Sequence, residues 1–298
     1  MRFITAVAAG LILAGVTAVP ASADTPKGAY WRVETTFTTT HPRPVGSGYY
    51  LIQRKVSTQW LSPEGKSWGG FRELGASPAT EKDEKAWRAD GSPTTWSYRT
   101  EGMKIHLSTT PGKGSVAEAE DRPDGFRVGE KHVTYQQLQL LPTDAEALRR
   151  YLVADVSAWI DKAAEEAKTT SPNSRKDDWL ANLDRYVARH AAELLYANPV
   201  PDKVRAAAYQ VLKTTRGVSD LGQAKDPLGR SGQKLALPVS SSKDSVLDQR
   251  LLVDTKTMTL LAEYTDLKDG GKAVLGKSGV RTFKAGWTDD KPAVPAVS

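Results

Sequence analysis

Apolar residues recur at intervals of three and four between positions 143 and 217, and at every second position in the segments on either side. The first spacing predicts amphipathic helices and the second half-buried strands. Thr143-Asp144-Ala145-Glu146 fits a capping box and opens a helix whose stripe is Leu148, Leu152, Val156, Trp159, Ile160 and Ala163, with Arg149, Asp155, Asp161 and Glu165 opposite. After a polar break at 168–174, Trp179, Leu183, Tyr186, Val187, His190 and Leu194 form one stripe of a second helix. Pro201 suits the first turn of a third, which carries Val204, Ala207, Ala208, Val211 and Leu212 and stops at Gly217. No stripe encircles its helix, so each helix must bury one side against something else.

Before this block, Trp31, Val33, Thr35 and Phe37 alternate with Arg32, Glu34 and Thr36. Residues 49–61 place Tyr50, Ile52, Val56 and Trp60 together, and 68–74 return after Pro63-Glu64-Gly65. Residues 76–93 read as a polar loop, 96–100 and 104–108 as short strands, and 109–125 as a mobile excursion rich in Gly, Pro and acids. Residues 126–141 are ambiguous, a strand passing into a turn. After the block, Asp226-Pro227-Leu228-Gly229 is a tight-turn sequence, followed by alternation at Leu235, Leu237 and Val239. Leu247, Gln249, Leu251 and Val253 form one face and Met258, Leu260, Ala262 and Tyr264 the next, with a last strand at 280–287. Strands, helices and strands again predict an α+β fold: a curved antiparallel sheet built from the N- and C-terminal strands and covered by the three-helix block 143–217. Residues 24–288 are then a single domain and 289–298 a disordered tail.

The extreme N-terminus changes the compartment. Met1-Arg2, an apolar run to Val19 and Ala21-Ser22-Ala23 make a signal peptide at residues 1–23, cleaved after Ala23, which implies a secreted protein without a transmembrane anchor. Cleavage leaves 275 of the 298 residues and, with Arg2 gone, lowers the net charge from +6 to +5. There are no cysteines, so disulfides, thiol catalysis and zinc–thiolate sites are excluded. The basic residues are scattered without long runs, and no nucleic-acid partner is expected.

No catalytic pattern stands out. Ser231-Gly-Gln-Lys234 and Ser240-Ser-Ser-Lys243 match Ser-x-x-Lys, but that nucleophile must open a helix and both matches fall in hairpin or loop sequence. His190 lies alone on an apolar stripe, and His41, His106 and His132 stand in separate segments, so no metal or other cofactor is expected. Asp177-Asp178 complements a helix start, and Glu118, Glu120, Asp121 and Asp124 lack calcium-loop spacing. Trp31, Trp60, Trp68, Trp87 and Trp96 cluster in the N-terminal half. Exposed in a row they would stack sugar rings, whereas Trp31 and Trp60 share faces with Val33 and Ile52 and read as core.

Several stretches stand out: Leu141-Pro-Thr-Asp144 with Ala147-Leu148, Pro201 through Ala207-Ala208-Tyr209, Gly217-Val218, Asp226-Pro-Leu-Gly-Arg230, Arg250-Leu-Leu-Val-Asp254 and Leu260-Leu-Ala-Glu263. Together they resemble an uncharacterised family of exported or membrane-anchored actinobacterial proteins found near extracytoplasmic sigma-factor systems. More remotely, the layout is similar to the periplasmic lipoprotein-carrier and sigma-regulator half-barrel. That resemblance implies a hydrophobic groove for lipid or lipopeptide, or envelope sensing, and supplies no site residues. From the residues themselves, the apolar faces that must converge are Tyr50, Ile52, Val56, Trp60, Trp159, Trp179, Leu251 and Val253, which are the expected groove lining. The reading is a non-enzymatic binding protein for an apolar or amphipathic envelope ligand; the alternative is a carbohydrate or cell-wall binding module using the N-terminal tryptophans.

Overall fold

The computed structural model describes residues 25–100, 102–119, 125–170, 176–241 and 244–297. The leader expected at 1–23 lies outside them, as do Ser174, Lys243 and the acidic residues 120, 121 and 124. The chain forms β1 (Tyr30–Thr40), β2 (Leu51–Leu61), β3 (Ser67–Pro78), α1 (Glu81–Ala89), β4 (Thr95–Thr100), β5 (Met103–Ser108), β6 (Ser115–Glu118), β7 (Phe126–Val128) and β8 (Lys131–Val133). The helical block follows as α2 (Tyr135–Gln139), α3 (Ala145–Thr170), α4 (Lys176–Leu180), α5 (Leu183–Glu193) and α6 (Asp202–Thr214). Then come β9 (Ser219–Lys225), β10 (Ser231–Ala236), β11 (Ser240–Ser241), β12 (Ser245–Asp254), β13 (Thr259–Asp269), β14 (Lys272–Ala273) and β15 (Gly279–Thr288).

The two ends of the chain meet in one antiparallel sheet, as the alternation predicts. β1 and β15 pair from Tyr30↔Thr288 to Thr39↔Gly279. The sheet runs β6-β3-β2-β1-β15-β13-β12-β10-β9, with β11 and β14 attached to β12 and β13; it is curved and does not close. One face of it packs under the helices. Trp31, Val33, Leu61, Leu235, Leu251, Val253, Leu260 and Phe283 from the strands share a buried core with Leu148, Leu152, Val156, Ile160, Val187, Ala208 and Leu212. Burying a side chain of this size is worth roughly 1.5–3 kcal/mol, so this layer dominates the stability.

Several expectations need correction. Asp144, not Thr143, caps α3, its carboxylate accepting from the Ala147 amide at 2.9 Å. Asp155, placed on the polar side of α3 by the periodicity, is buried because the β7–β8 turn folds over it. The second helix is two, since α4 stops at Leu180 and Asn182 begins α5. Residues 76–93 hold helix α1, which buries none of its residues and is set instead by capping and charge. The Thr80 hydroxyl accepts from the Asp83 amide at 3.2 Å, and Glu84 pairs with Arg88 one turn on at 2.5 Å. The excursion 109–125 contributes β6, an added edge strand paired with β3. Residues 289–297 have no helix or strand, but Pro295 is buried there, and a Cβ on Gly70 would meet Pro295 Cδ and Trp60 Cζ3 at 3.0 Å.

A smaller second core lies at the other end of β2. Val45, Tyr49, Leu51, Ala76, Trp96 and Leu107 pack there with Trp87 of α1 and Tyr98 of β4. The Trp96 indole donates to the Tyr49 hydroxyl at 2.9 Å, which satisfies the buried N–H.

Candidate functional site

β2 joins the two cores. Leu61 sits in the large one and Leu51 in the small one, about 33 Å apart along the strand. Alternation puts Gln53, Lys55, Ser57 and Gln59 between them on the same face. The cross-strand partners of Ser57 and Gln59 are Thr35 and Val33 on β1 and Phe71 and Gly69 on β3, and Gly69 pairs onward with Ala117. Under the helices the sheet carries large apolar side chains. Here it carries hydroxyls, an amide, a glycine and an alanine beside Val33 and Phe71, and among the described residues nothing fills the space they leave.

The result is a trough on the helix side of β1, β2, β3 and β6. One hollow of about 500 Å³ is bordered by Val33, Thr35, Ser57, Gln59, Ser67 and Tyr196. Another of about 560 Å³ adjoins it through Gln59, Ser67 and Tyr196 and reaches Arg127, Glu130, His132, Glu193 and Asn198. Both lie in the range of small-molecule sites. Nearby apolar surface includes Phe71, which is 42% exposed.

The helical wall of the trough is held by a polar network. Asp155 on α3 accepts from the Glu130 amide at 2.9 Å and pairs with Lys131 at 3.3 Å, pinning the β7–β8 turn. Gly129 in that turn has φ +62°, and a Cβ there would stand 2.1 Å from Asp155 Oδ2, so glycine is required. Arg127 donates to both carboxylate oxygens of Glu130 at 3.0 and 3.1 Å, while the Asn198 amide donates to the Arg127 carbonyl at 2.7 Å. At the end of α5, His190 Nδ1 donates to Glu193 at 3.1 Å. Nδ1 carries a hydrogen in this bond, because a carboxylate only accepts. Burial pushes the Glu193 carboxyl up, but the His190 hydrogen bond and the charges of His190, Arg189 and Arg127 outweigh it and hold the group below its ordinary value. Tyr196 packs at 4.3 Å on Phe283, and burial, with Glu193 and Glu263 nearby, raises its hydroxyl far above the usual range.

The eight residues expected to line a groove are not brought together. Leu251 and Val253 are buried in the solid main core. Trp159 and Trp179 are half-buried beside it, Trp159 edge-on to Tyr186 at 5.3 Å. Val56 and Trp60 point to the opposite face of β2 from Leu61, and Trp60 is covered by the C-terminal tail. Ile52 borders a hollow on that outer face with Thr38 and Tyr264. Tyr50 lies at the small core, its amide donating to Asp83 at 2.9 Å. Their apolar character is real, but two faces of one strand are both covered and alternation cannot say by what. The tryptophans do not form a row either. Trp31, Trp60 and Trp96 are buried in three different places, Trp87 packs into the small core, and Trp68 stands edge-on to Tyr30 at 5.4 Å.

Sequence reasoning missed the trough because its floor is made of unremarkable residues. Thr35, Ser57, Gln59, Ser67 and Gly69 break the apolar alternation of their strands on the inward face, and that interruption was the available signal. Ser231 and Lys234 lie on strand β10, three residues apart and therefore on opposite faces, so they do not form a nucleophile–base pair. Among the described residues no group of three or more His, Asp or Glu side chains is arranged to hold a metal ion, and no helix is long and apolar enough to cross a membrane.

No protein-family model, curated protein or solved structure matches this chain. A half-covered antiparallel sheet with an open trough is the class of architecture its coordinates define.

Proposed function

We propose that this is an exported, non-enzymatic binding protein that takes an elongated amphipathic envelope molecule in the trough, not in the sheet–helix interface. One observation carries the reading: the inward side chains of β2 between the two cores, Gln53, Lys55, Ser57 and Gln59, are polar, while Leu51 and Leu61 at its ends are apolar and buried. Hydroxyls at Thr35, Ser57 and Ser67 and the Gln59 amide offer hydrogen bonds to a polar part, and Phe71 and Tyr196 offer surface to an apolar one. The interior beneath the helices is packed, so an acyl chain has to lie across the exposed floor.

Gly69 supplies the test. A Cβ there meets nothing within 4 Å, so Gly69→Trp fills the trough without disturbing the strand. The probe is a fluorescent-acyl lysophospholipid, with native mass spectrometry of the purified protein alongside. Saturable binding that falls by about tenfold or more in Gly69→Trp, with an unchanged melting temperature, is expected. Equal binding by the two proteins, or none by either, overturns the proposal. Sedimentation with peptidoglycan addresses the carbohydrate reading, which the hydroxyl-rich floor favours: retention abolished by Gly69→Trp, together with no lysophospholipid binding, would replace the lipid with a glycan.

A further inference from the structure

A separate hollow of about 440 Å³ opens beside the turn that leads into α6. Its walls are aromatic. Trp31 and Trp287 meet edge-to-face at 5.8 Å and Tyr135 meets Trp287 at 5.9 Å. The Trp31 indole N–H is already spent on the Tyr196 carbonyl at 3.1 Å, so that ring is fixed in place.

Arg205 of α6 stands against this wall, its guanidinium carbon 6.0 Å from the Trp31 ring centroid. Its side chain is only 14% exposed. One terminal nitrogen donates to the Val200 carbonyl at 3.2 Å, and Nε is buried with no acceptor. The nearest carboxylate, Asp202, lies 3.8 Å away and is 91% exposed, so water screens it. Arg230, by contrast, has a fully buried carboxylate at 2.6 Å. A guanidinium taken out of water without a close counter-ion is costly, and a bound anion would offset the cost. Lys27 on the rim adds a second positive charge.

We infer that this hollow is a binding site for a small organic anion with a planar ring, its carboxylate or phosphate bridged by the Arg205 fork and its ring seated against Trp31 and Trp287. A planar guanidinium suits bidentate contact with such a head group, and edge-to-face indoles suit a flat apolar body. The volume fits a single-ring acid. The site shares no lining residue with the trough, although its Trp31 indole donates to the carbonyl of Tyr196 at the trough's border.

The test is calorimetric titration and tryptophan-fluorescence quenching of the full chain with benzoate, phenyl phosphate, benzyl alcohol and inorganic phosphate. Benzoate or phenyl phosphate is expected to bind saturably, with benzyl alcohol and inorganic phosphate each about tenfold weaker or worse. Arg205→Gln should weaken the ring-bearing anion by about tenfold. Lys27→Glu, at an exposed position that leaves the fold intact, should weaken it by about threefold, which keeps the proposal testable if Arg205→Gln does not fold. Failure of both ring-bearing anions to saturate below about 10 mM overturns the inference, as does benzyl alcohol binding as well as benzoate, or affinity unchanged in both variants.

Discussion

Replacing Asp226 by Ala should be among the most damaging single changes outside the apolar core. The Asp226 carboxylate is fully buried and accepts from the Leu228 amide at 2.9 Å, the Arg230 amide at 2.8 Å and Arg230 Nε at 2.7 Å. Arg230 in turn donates to the carbonyls of Phe283 at 2.8 Å and Leu261 at 2.9 Å. Those two carbonyls stand just past the point where the β13–β15 ladder ends, at Ala262↔Thr282. The guanidinium therefore takes over as donor where the strands part, and Asp226 holds it there. Truncation leaves a partly buried cation without its counter-ion, a loss of roughly 3–5 kcal/mol for such pairs, and two amides without acceptors. Because the Arg230 side chain keeps 30% exposure, the low end applies, about 3 kcal/mol. In a domain of this size that lowers the melting temperature by about 6–12 °C. Asp226→Asn keeps an oxygen for the two amides but removes the same charge and turns an NH2 toward Arg230, so it should recover only about 1 kcal/mol of that loss. Urea unfolding followed by far-ultraviolet circular dichroism measures both, and a cycle with Arg230→Met should show clear coupling. A cost below about 1 kcal/mol for Asp226→Ala, or equal costs for the two variants, would refute the reasoning.

Two further outcomes are expected. Gly129→Ala should cost about 2–3 kcal/mol, since the new Cβ has both a φ of +62° and Asp155 Oδ2 at 2.1 Å to contend with; thermal unfolding within a degree of the parent would count against the placement of the β7–β8 turn. Glu193 has its folded pKa depressed below the ordinary 4.5, so its contribution is present above about pH 4.5 and is lost as the pH falls through the lower folded value. Glu193→Gln should accordingly be less stable than the parent at pH 6, and the gap should narrow as the pH drops towards 3; a gap that does not change with pH would show that the His190, Arg189 and Arg127 interactions do not favour the charged form.

Most of the secondary structure was legible because a strand or helix with one covered face must repeat at its own period. Trp31, Val33 and Phe37 marked β1, Leu148 to Ile160 marked α3, and Asp226-Pro-Leu-Gly229 marked the turn that the structure closes with a Gly229 amide to Asp226 carbonyl bond of 2.9 Å. Helix α1 was not legible, since its stability comes from Thr80 capping and surface charge pairs and not from an apolar stripe. Asp155 was misassigned for a different reason. Asp161 and Glu165 on the same side of α3 do face water, and only the return of a hairpin from upstream in the chain puts this one carboxylate under backbone.

The strand–helix–strand order and the absence of thiol chemistry followed from the amino-acid sequence alone. So did the union of both ends of the chain in one antiparallel layer, because sheet faces and helix stripes left uncovered demand each other. What covers each apolar face was decided only in three dimensions: Leu61 and Trp60 are neighbours on β2, yet one lies beneath the helices and the other beneath the C-terminal tail. The trough was decided there too. Periodicity records that a residue alternates with its neighbours along one strand, whereas an opening depends on short side chains from several strands falling side by side, a matter of register between distant segments.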